Sequence, residues 1–215
     1  MKIKRDKDYY IENENIFNTS SIDLSPGITV LVGCNGYGKT TTLSIIKSYA
    51  KENSIPFIEF NNFGENDNHN TISRWMFYED YGNVATSLSS SEGQKIVIRL
   101  NEFAINLGNF IRKNKDEEYI FVLIDAIDSG LSIDNIEEVK NLLNIVKNDC
   151  GDNLYIVVSA NNYSLVEGEK CIDVKNNKEI MFSDYLEYKK FIISCKENMS
   201  QYWFLQDFWY NICGH

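Results

Sequence analysis

The chain has 215 residues, of which 43% are hydrophobic and 24% charged, a balance that suits a packed core and argues against a disordered or fibrous protein. At this length one core is expected, because domains run about 100–200 residues, and residues 1–215 are read as a single domain. The formal charge of −10 comes entirely from the residues beyond 60, which argues against nucleic acid or an anionic membrane as a partner through a broad basic surface.

The first ten residues are charged and lack the apolar core of a secretion signal. No apolar run approaches the roughly 18–20 residues that span a bilayer, so a cytosolic (cytoplasmic) chain with no membrane partner is expected. Lys2 to Leu24, with short alternating stretches such as Ile16 to Ile22, reads as an antiparallel β-layer. Ile28 to Val32 (ITVLV) is a continuous β-branched and aliphatic run, as are Ile120 to Ile124 (IFVLI) and Leu154 to Val158 (LYIVV). Such runs suit parallel strands covered on both faces. Thr40 to Ala50 reads as helical, and Asn61 to Asn70 as a surface loop. Ile96, Leu100, Phe103, Leu107 and Phe110 recur at spacings of 4, 3, 4 and 3, and Ile136, Val139, Leu143 and Val146 at 3, 4 and 3. Both sets predict amphipathic helices. The fold class that follows is α/β: a mainly parallel sheet flanked by helices, with an N-terminal antiparallel β-layer.

Near the C-terminus, Tyr202, Trp203, Phe204, Phe208, Trp209 and Tyr210 concentrate aromatic surface. A helix that closes the core accounts for it, with a partner-binding surface as the alternative. The five cysteines are odd in number and show no CxxC spacing, so buried free thiols are expected in place of a disulfide framework or zinc site.

Gly33-Cys34-Asn35-Gly36-Tyr37-Gly38-Lys39-Thr40-Thr41 fits G-x-x-x-x-G-K-[ST] between an apolar strand and a helix. The glycines (Gly33, Gly36, Gly38) let backbone N–H groups, including those near Asn35, converge on phosphates. The helix N-terminus at Thr40 and Thr41 adds its positive end, and Lys39 supplies a point charge for the β- and γ-phosphates. ATP is therefore the expected cofactor, with Mg²⁺ on Thr40. The same site needs a carboxylate at the end of a neighbouring strand, and Asp125 closes IFVLI in that place.

Three further segments carry a resemblance to the ABC-type ATPases, in particular their soluble branch of SMC-like and overcoming-lysogenization-defect-like P-loop NTPase heads. Leu88 to Gln94 (LSSSEGQ) resembles the signature L-S-G-G-Q, with Ser91 and Gly93 at its serine and second glycine. Ser129-Gly130-Leu131-Ser132 resembles the D-loop S-A-L-D, and Val158-Ser159-Ala160 stands where the family has a strand followed by its switch histidine. The resemblance covers roughly residues 28–160. It implies an ATP-sandwich homodimer, in which Ser91 and Gly93 of one copy complete the phosphate site of the other. It also implies an aromatic on adenine, for which Tyr9, Tyr10 and Phe17 are candidates, each equally readable as core.

The chain departs from the family pattern at four catalytic places. The glutamate after the Walker B aspartate is Ala126, the switch histidine is Ala160 with Asn161 beside it, the D-loop aspartate is Ser132, and the first signature glycine is Glu92. No glutamine loop follows the P-loop helix. Asp128 and Asp134 are the carboxylates left to orient water, with a solvated turn as their plainer explanation. Lys39 to Gln94 is only 55 positions, too short for a transporter's helical subdomain or an SMC coiled coil. The expected function is a nucleotide-gated switch with slow or absent ATP hydrolase activity, regulating a separate effector protein. An active Mg²⁺-dependent ATPase that drives a partner is the alternative, and a transporter subunit is disfavoured.

Overall fold

Three aliphatic runs form the middle of a six-stranded sheet, and their order in it decides where a ligand can enter. The computed structural model describes residues 1–5, 10–11, 14–15, 17–61, 92–149 and 151–203. In chain order the elements are β1 (Lys2–Lys4), β2 (Tyr10–Ile11), β3 (Glu14–Asn15), β4 (Ser21–Asp23), β5 (Gly27–Val32), α1 (Lys39–Glu52), β6 (Phe57–Asn61) and α2 (Glu92–Asn114). Then follow β7 (Ile120–Asp125), α3 (Ile133–Asp149), β8 (Leu154–Ser159), α4 (Tyr163–Val166), β9 (Lys170–Asp173), β10 (Lys178–Ile180) and α5 (Tyr185–Trp203). The main sheet runs β10-β9-β5-β8-β7-β6. Its pairs are parallel except for the antiparallel edge pair of β9 with β10.

Every residue of β7 and β8 is buried, which explains the unbroken aliphatic runs: neither face meets water, so no polar alternation is needed. On one face Val30, Val32, Val122, Ile124, Ile156 and Val158 pack with Phe103 and Leu107 of α2 and with Ile136, Val139 and Leu143 of α3. On the other, Leu31, Phe121, Leu123, Tyr155 and Val157 pack with Leu43, Ile45, Ile46 and Ala50 of α1. Phe121 is fully buried, with its ring centroid 5.4 Å from that of Tyr155; truncating such a side chain costs about 3–5 kcal/mol.

The N-terminal layer is antiparallel as expected, with Ile3 opposite Ile22 in the β1–β4 pair and both side chains in the α1-side core. Strands β2 and β3 form a separate two-stranded pair. Among the aromatics near the C-terminus, Tyr202 and Trp203 belong to α5, whereas Phe204, Phe208, Trp209 and Tyr210 lie outside the described residues. Helix α5 packs on the core through Tyr188 and Cys195. Cys34, Cys171 and Cys195 are buried; Cys150 and Cys213 lie outside the described residues. No described helix is long and apolar enough to cross a membrane.

The connections set the position of the site. From β5 the chain leaves through α1 on one face and continues to β6 at the far edge; it then returns through α2 and α3 on the opposite face to β7 and β8. Helices on opposite faces leave a crevice beyond the carboxyl end of β5, where ligands of open α/β sheets bind. Strand β8 lies between β5 and β7, so Asp125 ends not the strand beside β5, as the sequence suggests, but the one beyond it.

Candidate phosphate-binding site

The loop from Gly33 to Gly38 joins β5 to α1 directly. Gly38 is the N-cap of α1 at φ 93°, a left-handed conformation that a side chain at Cβ would strain. Gly33 is required for a different reason: a Cβ there would stand 2.2 Å from Cδ1 of Tyr37, so the tyrosine ring packs where a side chain would be. No side chain caps α1, and its first turn has no acidic residue. The helix thus presents main-chain N–H groups and about half a positive charge at its start.

Lys39 is only 8% exposed. Its ammonium donates to the carbonyls of Gly33 (2.6 Å) and Cys34 (3.2 Å), so the lysine is folded back over the loop that precedes it. Burial pushes its pKa below the ordinary lysine value, against the opposing fields of Cys34, Asp128 and Asp125. Asn35, Gly36 and Thr40 are exposed, and Thr41 is half-buried. The next residue, Thr42, is fully buried, and its hydroxyl has no hydrogen-bond partner among the described residues.

Asp125 ends β7 opposite Ser159 of β8. It is 8% exposed, and its Oδ1 is buried with no hydrogen-bond partner among the described residues. A buried carboxylate oxygen left without a donor is costly unless a cation or water meets it. Together with the exposed Thr40 hydroxyl it fits Mg²⁺, which takes one or two protein oxygens and completes its shell with phosphates and water.

Asp128 makes contacts that its sequence position does not reveal. Its Oδ2 accepts the main-chain N–H of Asn161 (2.6 Å) and of Asn162 (2.5 Å), while Oδ1 is buried without a partner among the described residues. It therefore ties the loop after β7 to the loop after β8. The hydroxyl of Tyr188 on α5 donates to the Asn161 carbonyl at 2.8 Å, and Asn162 caps α4 by accepting from Ser164 N–H. Ala126 adopts φ 51° and donates its N–H to the Ser159 carbonyl. Ala160 is buried.

Ser132 and Asp134 begin α3. The Ser132 carbonyl accepts the first helical bond, from Ile136 N–H, and its hydroxyl accepts from Asn135. The Ser132 hydroxyl also holds the exposed Asp134 carboxyl below its ordinary pKa. Gly93 is the second residue of α2, while Ser91 and Tyr9 lie outside the described residues. Phe17 is buried with the Arg5 guanidinium 4.1 Å from its ring centre, so one face of that ring is taken within the protein. Lys39, Asp125 and Asp128 thus meet at one end of the sheet. The sequence reading missed Tyr37, Asn162 and Tyr188: the first fills a free position of the motif, and the others act only through contacts distant in sequence.

A cavity of about 590 Å³ lies at the opposite ends of β7 and β8, lined by Lys115, Glu118, Ile120, Asp149 and Asn153 among others. It shares no residue with the glycine-rich loop.

No family model matches the chain, and no curated protein does. Among solved structures, AMPPCP-bound DnaA from Aquifex aeolicus is similar at 14% identity and a TM-score of 0.34. The match covers 86% of this chain and 49% of that one, so the chain spans about half that protein's length.

Proposed function

We propose that the chain is an ATP-binding switch of the ABC-type ATPase kind, taking ATP with Mg²⁺ at Gly33 to Thr41. The observation that carries this reading is the uncapped start of α1 beneath the Lys39 ammonium, with the unpartnered Asp125 oxygen at the same end of the sheet. Main-chain N–H groups of the loop and of α1 bind the phosphate oxygens, and Lys39 exchanges its two carbonyl acceptors for the β- and γ-phosphates. Thr40 and Asp125 would hold Mg²⁺, which when bound neutralises phosphate charge.

Two copies close around the nucleotide, with Ser91 and Gly93 of each copy on the phosphates of the other, and the closed state regulates a separate effector. Hydrolysis is slow or absent, because the methyl group of Ala126 accepts no proton. The alternative, an active hydrolase, would need Asp128 or Asp134 as base, and Asp128 is the one of the two that meets Lys39 and Asp125. Its engagement with two main-chain N–H groups favours the switch.

Calorimetry with Mg–ATP tests the reading. Lys39→Ala should weaken binding at least about tenfold, since charge-assisted hydrogen bonds contribute about 1.5–3 kcal/mol each. Asp125→Asn should reduce the dependence on Mg²⁺ more than binding itself. Equal affinity of wild type and Lys39→Ala would overturn the assignment.

A further inference from the structure

Helix α5 touches both loops of the candidate nucleotide site, although it follows them by many residues. Tyr188 and Cys195 are seven positions apart, about two helical turns, and so share one face of the helix. From the first, the hydroxyl donates to the Asn161 carbonyl in the loop after β8, the same loop that Asp128 holds by the N–H groups of residues 161 and 162. At the second, the buried sulfur packs in one core cluster with Tyr37 and Cys34 of the loop after β5. Tyr37 is buried against Gly33, and Cys34 and Gly33 supply the carbonyls that hold Lys39. One helical face therefore spans the phosphate-binding loop and the switch-position loop, and β5 and β8 place those loops side by side.

We infer that α5 is the coupling element of the site: Tyr188 and Cys195 are positioning residues that hold both loops in their binding geometry, so nucleotide binding and α5 docking stabilise each other. This rests on the nucleotide-binding reading. The coupling is reciprocal by linkage, because a ligand that requires ordered loops also opposes any opening that releases them. Nucleotide occupancy is thereby reported at α5, whose exposed flank carries Leu186 and Ile193.

The test is amide hydrogen exchange over residues 186–197 with and without Mg²⁺ and AMPPNP, with calorimetry on the same samples. At 100 times Kd, a fully coupled opening is suppressed about 100-fold, and at least tenfold slowing is expected in the wild type. Tyr188→Phe keeps the ring and the core, and should weaken nucleotide binding while reducing that slowing to less than about threefold at the same multiple of its own Kd. Cys195→Ala is the second variant, with the same expectation at the phosphate-loop end. Wild-type binding with no change over α5 would overturn the inference. So would variants whose exchange is faster both with and without nucleotide but whose ratio is unchanged, since that pattern is a structural role alone. Failure of the wild type to bind nucleotide removes the underlying reading, and calorimetry separates that case from the others.

Discussion

Ala126 holds a backbone conformation that most residues avoid, at φ 51°. The left-handed region costs a residue with a Cβ about 1 kcal/mol relative to glycine, so Ala126→Gly should raise stability by about that amount in urea unfolding. Ala126→Glu tests the chemistry of the same position. A carboxylate base is worth about 10²–10⁴-fold in rate when it reaches the attacking water, so the variant should hydrolyse ATP faster than the wild type. Fast wild-type turnover, unaltered by Ala126→Glu and lost in Asp128→Ala or Asp134→Ala, would make the chain an enzyme with a relocated base. Lys39 shows the opposite kind of conflict, between function and stability. Its folded pKa lies below the free value, so the stability linked to it is present above the unfolded pKa and lost as pH falls through the folded one. At neutral pH the buried ammonium therefore opposes folding. Lys39→Met should raise the melting temperature of the nucleotide-free protein by about 2 °C or more, given about 2–4 °C per kcal/mol at this size. The gain should shrink as pH approaches 10.5, and a melting temperature lowered at neutral pH would contradict it.

At the scale of elements, the loops after β7 and β8 are joined by one carboxylate. Asp128→Ala leaves the N–H groups of Asn161 and Asn162 without that acceptor, and the loss should be about 2–3 kcal/mol. Asp128→Asn keeps one acceptor oxygen and should recover part of it. Unaltered stability in both variants would mean that the carboxylate is not a tie. How far such elements are readable in sequence depends on how local their causes are. Strands β5, β7 and β8 were legible because burial on two faces leaves an unbroken aliphatic run. Helices α1, α2 and α3 were legible from motif or periodicity, and each extends one to four residues beyond its predicted ends. Strand β6 has only Phe60 buried, and β9 and β10 are four and three residues long, so none has a pattern strong enough to read. The places of the glycine-rich loop, between β5 and α1, and of Asp125, at the end of β7, were legible because motif and strand end coincide. The bond from Tyr188 to Asn161, which are 27 positions apart, exists only in the folded chain.

For the whole molecule, the proposed dimer is the point at which two copies would complete one site. Ser91→Arg should leave nucleotide binding by the single copy intact and abolish the ATP-dependent increase in mass, read by light scattering. A mass that does not respond to nucleotide in either protein would contradict the sandwich while leaving the loop's own chemistry untouched. That chemistry is the central claim, and the most direct measurement is a crystal structure of the chain with Mg²⁺ and a non-hydrolysable ATP analogue. The account predicts the β- and γ-phosphates within hydrogen-bond distance of the Lys39 ammonium and the first N–H groups of α1, with the metal between Thr40 and Asp125. Nucleotide bound instead at the cavity near Lys115, with Lys39 still on the Gly33 and Cys34 carbonyls, would contradict it.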